Sequence, residues 1–197
     1  DVFDAGLTGT ENAYFIAGTK PYDMVIMISA SHNPPQYNGL KIVLRGPHPV
    51  TGEGLSDLKK LVGESPLPPS LKKGTLTRID IFDEWRDKVL SLVDTTTFRK
   101  LSVVIDGGNG MGGTLSSKVF SSLPFQITPL YFEPDGRFPH HTPNPLIEKN
   151  NQDLIANIRE IHADVGLTFD GDADRMFLVD DTGRLVSGTI TTALLSR

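Results

Sequence analysis

The sequence predicts an α/β protein built from two α/β/α layered units with mixed, largely parallel sheets, the first of them incomplete. Short apolar runs rich in isoleucine and valine occur in both halves, and polar or glycine-containing loops follow several of them. In the second half these runs alternate with segments of helical periodicity, an order that favours parallel strands with loops at their carboxyl ends. The 197 residues suffice for two units, which we expect at residues 1–97 and 98–197.

In the first unit, apolar runs bounded by turn residues predict strands at Asp23–Ile28 and Leu40–Leu44. A helix is predicted at Glu53–Val62, and three prolines in Gly63–Gly74 indicate a surface connection. Helical spacing of apolar residues predicts a further helix over Ile81–Val93 that connects the two units. Its apolar face is formed by Ile81, Trp85, Val89 and Leu92.

In the second unit, three apolar runs predict strands, namely Leu101–Ile105, Phe125–Phe132 and Ala163–Phe169. Helices are predicted at Gly113–Leu123 and Asn150–Ile161. The second of these is amphipathic, with one apolar face made of Leu154, Ile155, Ile158 and Ile161. A hairpin is predicted around the turn Asp180–Gly183, with arms Met176–Val179 and Arg184–Val186.

Composition excludes several classes of protein. A net charge of −5 argues against non-specific binding to nucleic acid or to a membrane surface, since both favour basic patches. The chain has no cysteine, which excludes disulfides and thiolate metal sites. No apolar stretch approaches the roughly 20 residues that span a bilayer, so we expect a cytoplasmic location. Because the chain starts at Asp1 and stops at Ile190–Arg197 in mid-pattern of a helix, we expect a longer parent polypeptide.

Residues 170–175, Asp-Gly-Asp-Ala-Asp-Arg, directly follow a predicted strand. We refer to them as the carboxylate loop. Three carboxylates on alternate residues can converge on one ion, and oxygen ligands without His or Cys suit Mg²⁺ or Mn²⁺. Arg175 is a poor metal ligand but a good partner for a phosphate held beside the metal.

Other interpretations of the carboxylate loop are weaker. An acidic surface turn remains open, although three acids closed by an arginine are concentrated for one. A calcium loop of the EF-hand type needs Gly at its sixth position and Glu at its twelfth, where this chain has Arg175 and Asp181. A phosphatase of the haloacid-dehalogenase type would use Asp170 as nucleophile, and it leaves the serine loop described next without a role.

Residues 29–34, Ser-Ala-Ser-His-Asn-Pro, form a second polar loop after an apolar run. Small neighbours expose the hydroxyl of Ser31, and the prolines stiffen the loop. A catalytic loop is favoured over a structural turn. A serine-hydrolase triad is disfavoured because there is no Gly-x-Ser-x-Gly elbow, and the adjacent His32 cannot easily reach its neighbour's hydroxyl. Lys41 lies in the next strand, which can bring its side chain back to the opening of the same site.

Two further segments carry weaker signals. Gly108, Gly110 and Gly113 fit a Gly-x-Gly-x-x-Gly spacing, but no suitable acidic residue closes the next strand, so tight strand-to-helix packing is favoured over nucleotide binding. His140 and His141 lie in a proline-rich loop, where packing between domains or solvent exposure is favoured over metal binding.

Four runs of this sequence resemble the α-D-phosphohexomutase superfamily, and within it the bacterial phosphomannomutase/phosphoglucomutase branch. They follow the family's order along nearly the whole chain, at Ser29–Lys41, Val104–Gly110, Pro134–Leu146 and Gly166–Arg175. The Tyr37–Lys41 and Phe138–His141 stretches favour the mannose/glucose branch over phosphoglucosamine mutases, which remain an alternative.

The resemblance implies an intramolecular phosphotransferase of the isomerase class, which interconverts hexose 1-phosphate and hexose 6-phosphate through a 1,6-bisphosphate. By the family's pattern Ser31 is the phosphoserine, and one Mg²⁺ is held by a phosphate oxygen on Ser31 together with Asp170, Asp172 and Asp174. Arg175 contacts the phosphoryl group, Lys41 is the candidate for proton transfer, and His32 positions the loop. Glucose 1,6-bisphosphate or a similar compound is the implied activator.

The resemblance also implies four domains in the whole enzyme. This chain then holds the second part of domain 1 and domain 2, and it lacks domains 3 and 4 of the same polypeptide. We therefore expect it to be inactive alone. Its expected partner is a hexose phosphate, with no nucleic acid and no membrane. The competing hypothesis from another class is a non-catalytic module that binds metal or phosphate.

Overall fold

The computed structural model describes residues 1–64 and 70–196. In its first part, strands and helices follow one another in a mixed order. They are β1 (Val2–Asp4), α1 (Thr10–Thr19), β2 (Met24–Ile28), β3 (Leu40–Leu44), β4 (His48–Pro49), α2 (Glu53–Glu64), β5 (Leu76–Arg78) and α3 (Phe82–Leu90). Strands β2, β3 and β4 form an antiparallel sheet, and β1 pairs with β5 in parallel.

The serine loop is the connection between β2 and β3. These strands pair from Met24 opposite Leu44 to Ile28 opposite Leu40. The backbone N–H of Ser29 then donates to the carbonyl of Gly39 at 3.0 Å, which closes the base of the loop. The hairpin therefore holds the serine loop and Lys41 at the same end of the sheet.

The second part contains one four-stranded sheet with three helices. Its elements are β6 (Leu101–Asp106), α4 (Met111–Phe120), β7 (Phe125–Leu130), α5 (Gln152–Ile161), β8 (Val165–Phe169), β9 (Met176–Asp180) and α6 (Gly188–Leu195). The strand order is β7-β6-β8-β9, with the first three parallel and β9 antiparallel to β8. Because β6 and β8 are parallel neighbours, the loops after Asp106 and Phe169 leave the same edge of the sheet.

Two apolar clusters hold these elements together. One lies in the second sheet, where α5 packs its fully buried Leu154 and Ile158 against Val104 and Val179. The other combines residues from both parts of the chain, namely Ile16, Ile81, Trp85, Met111, Leu115 and Ala173. This second cluster packs α1 and α3 against α4 and the carboxylate loop.

The structure confirms the predicted α/β class and, with shifted ends, the predicted strands and helices, except for the second arm of the hairpin. Arg184–Val186 is not a strand and pairs with β9 only through the bridge between Leu185 and Val179, because helix α6 begins soon afterwards at Gly188. Short elements that the sequence analysis did not predict are α1, β1, β4 and β5. Two residues assigned to apolar faces are exposed, Leu92 at 69% and Ile161 at 41%. Leu92 lies beyond the end of α3 and Ile161 is the last residue of α5, so neither helix carries them into a core.

The predicted connection Gly63–Gly74 requires a correction at its start. Gly63 belongs to α2, which continues to Glu64. Residues 65–69, with the three prolines, lie outside the described residues. Within the described ranges, no helix is both long and apolar enough to cross a bilayer.

Glycines follow β6 because backbone segments approach each other closely there. A Cβ on Gly113 would lie 2.5 Å from Cα of Phe132, and one on Gly107 would lie 2.7 Å from the nitrogen of Gly113. Real Cβ atoms do not approach backbone this closely. The structure therefore agrees with the packing interpretation of this loop.

We predict that Gly113→Ala lowers the free energy of unfolding by about 2 kcal/mol, because the methyl group meets backbone that cannot rotate away. The loss is expected although alanine is intrinsically better than glycine within a helix. Urea denaturation measures it. Gly136→Ala is the matched control, since a Cβ there has no described atom within 4 Å. Equal losses in both variants would contradict the packing explanation.

Candidate active site

The carboxylate loop curls directly after β8. The carbonyl of Asp170 accepts the N–H of Ala173 at 3.1 Å, and the carbonyl of Arg175 accepts the N–H of Asp170 at 3.2 Å. Ala173 has a left-handed φ of 61°, which reverses the chain between the second and third aspartates. Oxygens of Asp170, Asp172 and Asp174 consequently lie within 4.8 Å of one another. The first two aspartates are buried and the third is partly exposed.

Asp172 joins the carboxylate loop to three elements of the first unit. Its Oδ2 accepts hydrogen bonds from Thr10 Oγ1 at 2.7 Å, Ser29 Oγ at 3.2 Å and Lys41 Nζ at 2.5 Å. Burial alone raises the pKa of Asp172, but the hydrogen bonds from Lys41 and Thr10 outweigh it and lower that pKa. Asp172 is therefore an ionised carboxylate at neutral pH.

Ser31 lies against the carboxylate loop. Its φ is 53°, and its N–H donates to Ser29 Oγ at 2.9 Å, so the backbone bends and turns the hydroxyl toward Asp170. Ser31 Oγ donates to Asp170 Oδ2 at 3.0 Å and accepts from Arg175 Nη2 at 3.2 Å. A Cβ on Gly171 would lie 2.5 Å from the carbonyl oxygen of Ser31, so glycine permits this close approach.

Arg175 donates hydrogen bonds to both carboxylate oxygens of Asp170. Its Nε and Nη2 donate to Asp170 Oδ2 at 3.0 and 2.7 Å, and its backbone N–H donates to Oδ1 at 3.1 Å. Burial and the nearby Asp172 raise the pKa of Asp170, while the Arg175 contacts act in the opposite direction. The guanidinium thus holds a buried carboxylate and also reaches the serine hydroxyl.

Lys41 bridges two of the aspartates. Its Nζ lies 2.5 Å from Asp172 Oδ2 and 2.8 Å from Asp174 Oδ2. Burial favours the neutral amine, yet these hydrogen bonds raise the pKa of Lys41. Lys41 is therefore an ammonium group in this structure.

Five of the residues singled out in the sequence line one cavity of about 750 Å³, whereas the buried Asp170 and Asp172 are not among its lining residues. Its lining residues are Thr10, Glu11, Tyr14, Ser31, His32, Lys41, Asp174 and Arg175. Three of these, Thr10, Glu11 and Tyr14, were missed because helix α1 was not predicted. Gly9 followed by a threonine and an acid is a helix-start signal that could have revealed it. Its buried face mixes Thr10 and Asn12 with apolar residues, which weakens the periodicity.

The aspartates fit a hard divalent cation. Three carboxylates supply only oxygen ligands, which suits Mg²⁺ or Mn²⁺. In addition, Asp172 Oδ1 is buried and has no hydrogen-bond partner among residues 1–64 and 70–196. A buried carboxylate oxygen without a partner is costly unless a cation or another donor meets it. The donor set and this oxygen both support the predicted metal site.

Comparison with known proteins places both parts of the chain in one family. A family model described as phosphoglucomutase/phosphomannomutase, alpha/beta/alpha domain II, matches residues 83–183. The corresponding model for domain I matches residues 1–65. The two matches follow the order of the two structural units.

Individual relatives give the same result. A phosphomannomutase from Escherichia coli is 38% identical over 205 residues, an alignment that covers 100% of this chain and 45% of the relative. A phosphoglucomutase from Neisseria gonorrhoeae is 37% identical over 185 residues, covering 94% of this chain and 40% of the relative. The chain thus spans less than half the length of these relatives.

A solved structure supports the arrangement in three dimensions. The crystal structure of a phosphoglucomutase/phosphomannomutase family protein from Burkholderia thailandensis superimposes with a TM-score of 0.87 at 32% identity. The match covers 100% of this chain and 45% of that one. A phosphomannomutase structure from Thermus thermophilus, at 24% identity and a TM-score of 0.79, shares the fold.

The side chain of Glu11 should make the stability of the fold depend on pH. Burial raises its pKa to about 7, and the charges of Asp174, Asp172 and Asp170 act in the same direction. Native protein therefore retains a proton that the unfolded chain releases at lower pH, so stability falls as pH rises from about 4.5 to about 7. In metal-free protein, Glu11→Gln should be more stable than wild type above pH 7, by about 3 kcal/mol.

Urea denaturation in the presence of a chelator, at about pH 4 and about pH 8, measures this difference. The two proteins should be equally stable at the lower pH, where both side chains are neutral. The exposed Glu160 provides the control variant Glu160→Gln. A Glu11→Gln protein that is less stable than wild type at the higher pH would contradict the raised pKa of Glu11.

Proposed function

We propose that this chain, which belongs to the phosphoglucomutase/phosphomannomutase family, carries the phosphoryl-transfer site of a Mg²⁺-dependent phosphohexomutase. The reaction interconverts the 1-phosphate and 6-phosphate of mannose or glucose, through a phosphoserine on Ser31 and a hexose 1,6-bisphosphate. One observation carries the proposal: Ser31 Oγ lies within hydrogen-bond distance of both Asp170 and Arg175. A nucleophile, an anion-binding group and a metal-ligating acid thus meet at one atom.

Ser31 Oγ bonds to phosphorus as the O–P bond to the sugar breaks, and the proton that Ser31 loses balances the proton that the released sugar oxygen gains. The return of the phosphoryl group to a sugar hydroxyl reverses both changes. Asp170, which accepts the hydrogen bond of Ser31 Oγ, orients the hydroxyl so that a lone pair faces the incoming phosphorus. A phosphoserine carries about −1.5 to −2 charges at neutral pH. Arg175 already donates to the same oxygen, so its guanidinium offsets that charge and the charge of the transition state.

Mg²⁺ belongs beside the phosphoserine in this proposal. Asp170, Asp172 and Asp174 would hold it together with one phosphate oxygen on Ser31. When bound, the ion neutralises negative charge on the phosphoryl group and makes phosphorus a better electrophile. Asp172 Oδ1 is buried and has no hydrogen-bond partner within the described part of the chain, which supports this placement.

Lys41 and His32 complete the proposed site. Lys41 is an ammonium group that lines the cavity, so it can donate a proton to a sugar oxygen when the O–P bond breaks and take one back in the reverse transfer. His32 follows the nucleophile and lines the same cavity, and we assign it the role of positioning the serine loop.

The division into residues 1–97 and 98–197 is part of this proposal. It is supported by the sheets, because β6 to β9 form one sheet and all of them follow residue 98. We further propose that a longer polypeptide supplies two more domains, that the chain alone turns over no hexose phosphate, and that the whole enzyme acts in the cytoplasm with glucose 1,6-bisphosphate as activator. The lengths of the relatives support the first of these points.

The proposed function is tested by the mass of the full-length protein before and after incubation with glucose 1,6-bisphosphate and Mg²⁺. We expect one added phosphate, which peptide mapping places on Ser31 and which resists conditions that hydrolyse acyl phosphates. A labile phosphate on Asp170 would instead support a phosphatase mechanism. The absence of any adduct on the full-length protein would overturn the proposal.

We predict that Asp172→Asn lowers phosphoryl transfer in the full-length enzyme at least about 100-fold, because it removes a metal ligand and the ion pair with Lys41. The circular dichroism spectrum should stay unchanged. Asp181→Asn is the control, since Asp181 is an exposed acid in the neighbouring hairpin. Loss of the folded spectrum in Asp172→Asn would show that the loop is structural instead.

We also predict that phosphorylated protein binds Mg²⁺ about tenfold or more tightly than unphosphorylated protein, because the phosphate contributes a charged oxygen ligand. Titration calorimetry on the two forms measures the ratio. Ser31→Ala, which cannot be phosphorylated there, should bind like the unphosphorylated form. Equal Mg²⁺ affinities of the two forms would show that the phosphate is not a ligand of the metal.

A further inference from the structure

We propose that His141, held as an imidazolium by Asp106, is a positioning residue that supports the carboxylate loop at Gly171. The inference rests on the proposed function, because it assigns a support to that same site. It concerns a histidine that the sequence analysis placed in interdomain packing or solvent, and its contacts lie within the second unit.

Both ring nitrogens of His141 face hydrogen-bond acceptors. Nε2 lies 3.0 Å from Asp106 Oδ2, and Nδ1 lies 3.0 Å from the carbonyl oxygen of Thr142. A carbonyl cannot donate, and Asp106 already accepts the N–H of Gly108 at 2.8 Å through its other oxygen. Each ring nitrogen therefore carries a hydrogen, and a histidine with two N–H groups is an imidazolium.

The ion pair is built into the protein. Asp106 is fully buried at the end of β6, and the side chain of His141 is 11% exposed. Removing one partner of a buried pair leaves the other charge uncompensated, which is costly. The pair is thus able to fix the loop that contains His141 onto the end of the sheet.

Contacts lead from this pair to the carboxylate loop along two paths. The turn after Asp106 ends at α4, where the N–H of Met111 donates to the carbonyl of Gly171 at 3.0 Å. On the other path, Pro143 follows His141 by two residues, and its ring lies 3.4 Å from where a Cβ on Gly171 would be. The carbonyl oxygen of Ser31 lies 2.5 Å from the same Cβ position, so Gly171 is next to both the backbone of the nucleophile and the loop that His141 supports.

Charged and titratable groups around the ring favour its protonated form. Each element that packs around the His141 ring contributes one of these groups. They are Asp106 from β6, Tyr131 after β7, Asp153 from α5 and the adjacent His140. Burial favours the neutral ring, but Asp106 outweighs it and raises the pKa of His141. The hydrogen bond to Asp153 raises the pKa of Tyr131 to about 12, so the phenol stays neutral.

Deprotonation removes one of the two N–H groups and places a ring nitrogen against an acceptor. Because the native pKa is raised, this support is present below about pH 6.5 and is lost as the pH rises through the native value. The carboxylate loop then loses its brace and holds Mg²⁺ less well.

Nitrogen-15 NMR of histidine in the full-length wild-type protein tests the protonation state without any substitution of the pair. We expect both nitrogens of His141 to be protonated at pH 6.5, and the ring to lose a proton at higher pH than histidine in the unfolded chain. A ring with a single proton at pH 6.5 would overturn the inference. The resonance is assigned by its loss in His141→Gln.

Magnesium affinity, measured by calorimetry, tests the positioning role. His141→Gln should bind Mg²⁺ about tenfold more weakly than wild type at pH 6.5, and the ratio should approach one at pH values where the wild-type ring is neutral. His48→Gln, at an exposed position on β4, is the control and should match wild type throughout. Equal affinities of His141→Gln and wild type at every pH would overturn the role.

Neither measurement requires mutase activity, which separates the two proposals. Suppose that Ser31 takes no phosphate, while His141 is protonated as expected and its substitution weakens Mg²⁺ binding. The proposed function then fails, but the inference that His141 supports a metal-binding loop remains valid. If His141→Gln does not fold, Asp106→Asn serves as the second variant. It should lower the titration pH of His141, and an unchanged value would contradict the pairing.

Discussion

The contact between the serine loop and the carboxylate loop is the interaction on which the rest of the site depends. The two loops belong to different sheets, and each ends a strand that its own unit holds in place. Asp172 accepts hydrogen bonds from Thr10, Ser29 and Lys41, and Gly171 lies against the backbone of Ser31. The apolar cluster around Trp85 packs the two units together behind this contact. Sheet geometry and core packing thus place a hydroxyl beside three carboxylates.

Repulsion between carboxylates makes this arrangement of side chains unfavourable in free energy. Three aspartates with oxygens within 4.8 Å of one another repel, and two of them are buried. Lys41 and Arg175 offset part of that charge, but one oxygen of Asp172 stays unpaired in the described structure, and the pKa of Glu11 rises to about 7. Proteins tolerate such local costs mainly where a ligand supplies the missing charge. A divalent cation among the three aspartates would supply the positive charge that this balance lacks.

Much of the fold could be predicted from local patterns. The run Leu40–Leu44 forms a strand with the predicted bounds, and Leu154 and Ile158 occupy the core because α5 has a clear apolar face. Glu11 could not be found in this way, since α1 buries polar as well as apolar residues and its contacts with the carboxylate loop span 162 positions. The partners of His141 were also beyond sequence reasoning. Asp106 precedes it by 35 positions, and only the parallel pairing of β6 and β8 shows that Asp106 ends its strand beside the start of the carboxylate loop.

The central claim is that a phosphate on Ser31 and the three aspartates form one metal site. Phosphorus-31 NMR of the phosphorylated full-length protein, titrated with paramagnetic Mn²⁺, tests this most directly. We expect the phosphoserine resonance to broaden beyond detection when Mn²⁺ occupies the site, and excess Mg²⁺ to restore it. A resonance that stays sharp while Mn²⁺ is bound would show that the metal and the phosphate occupy separate places.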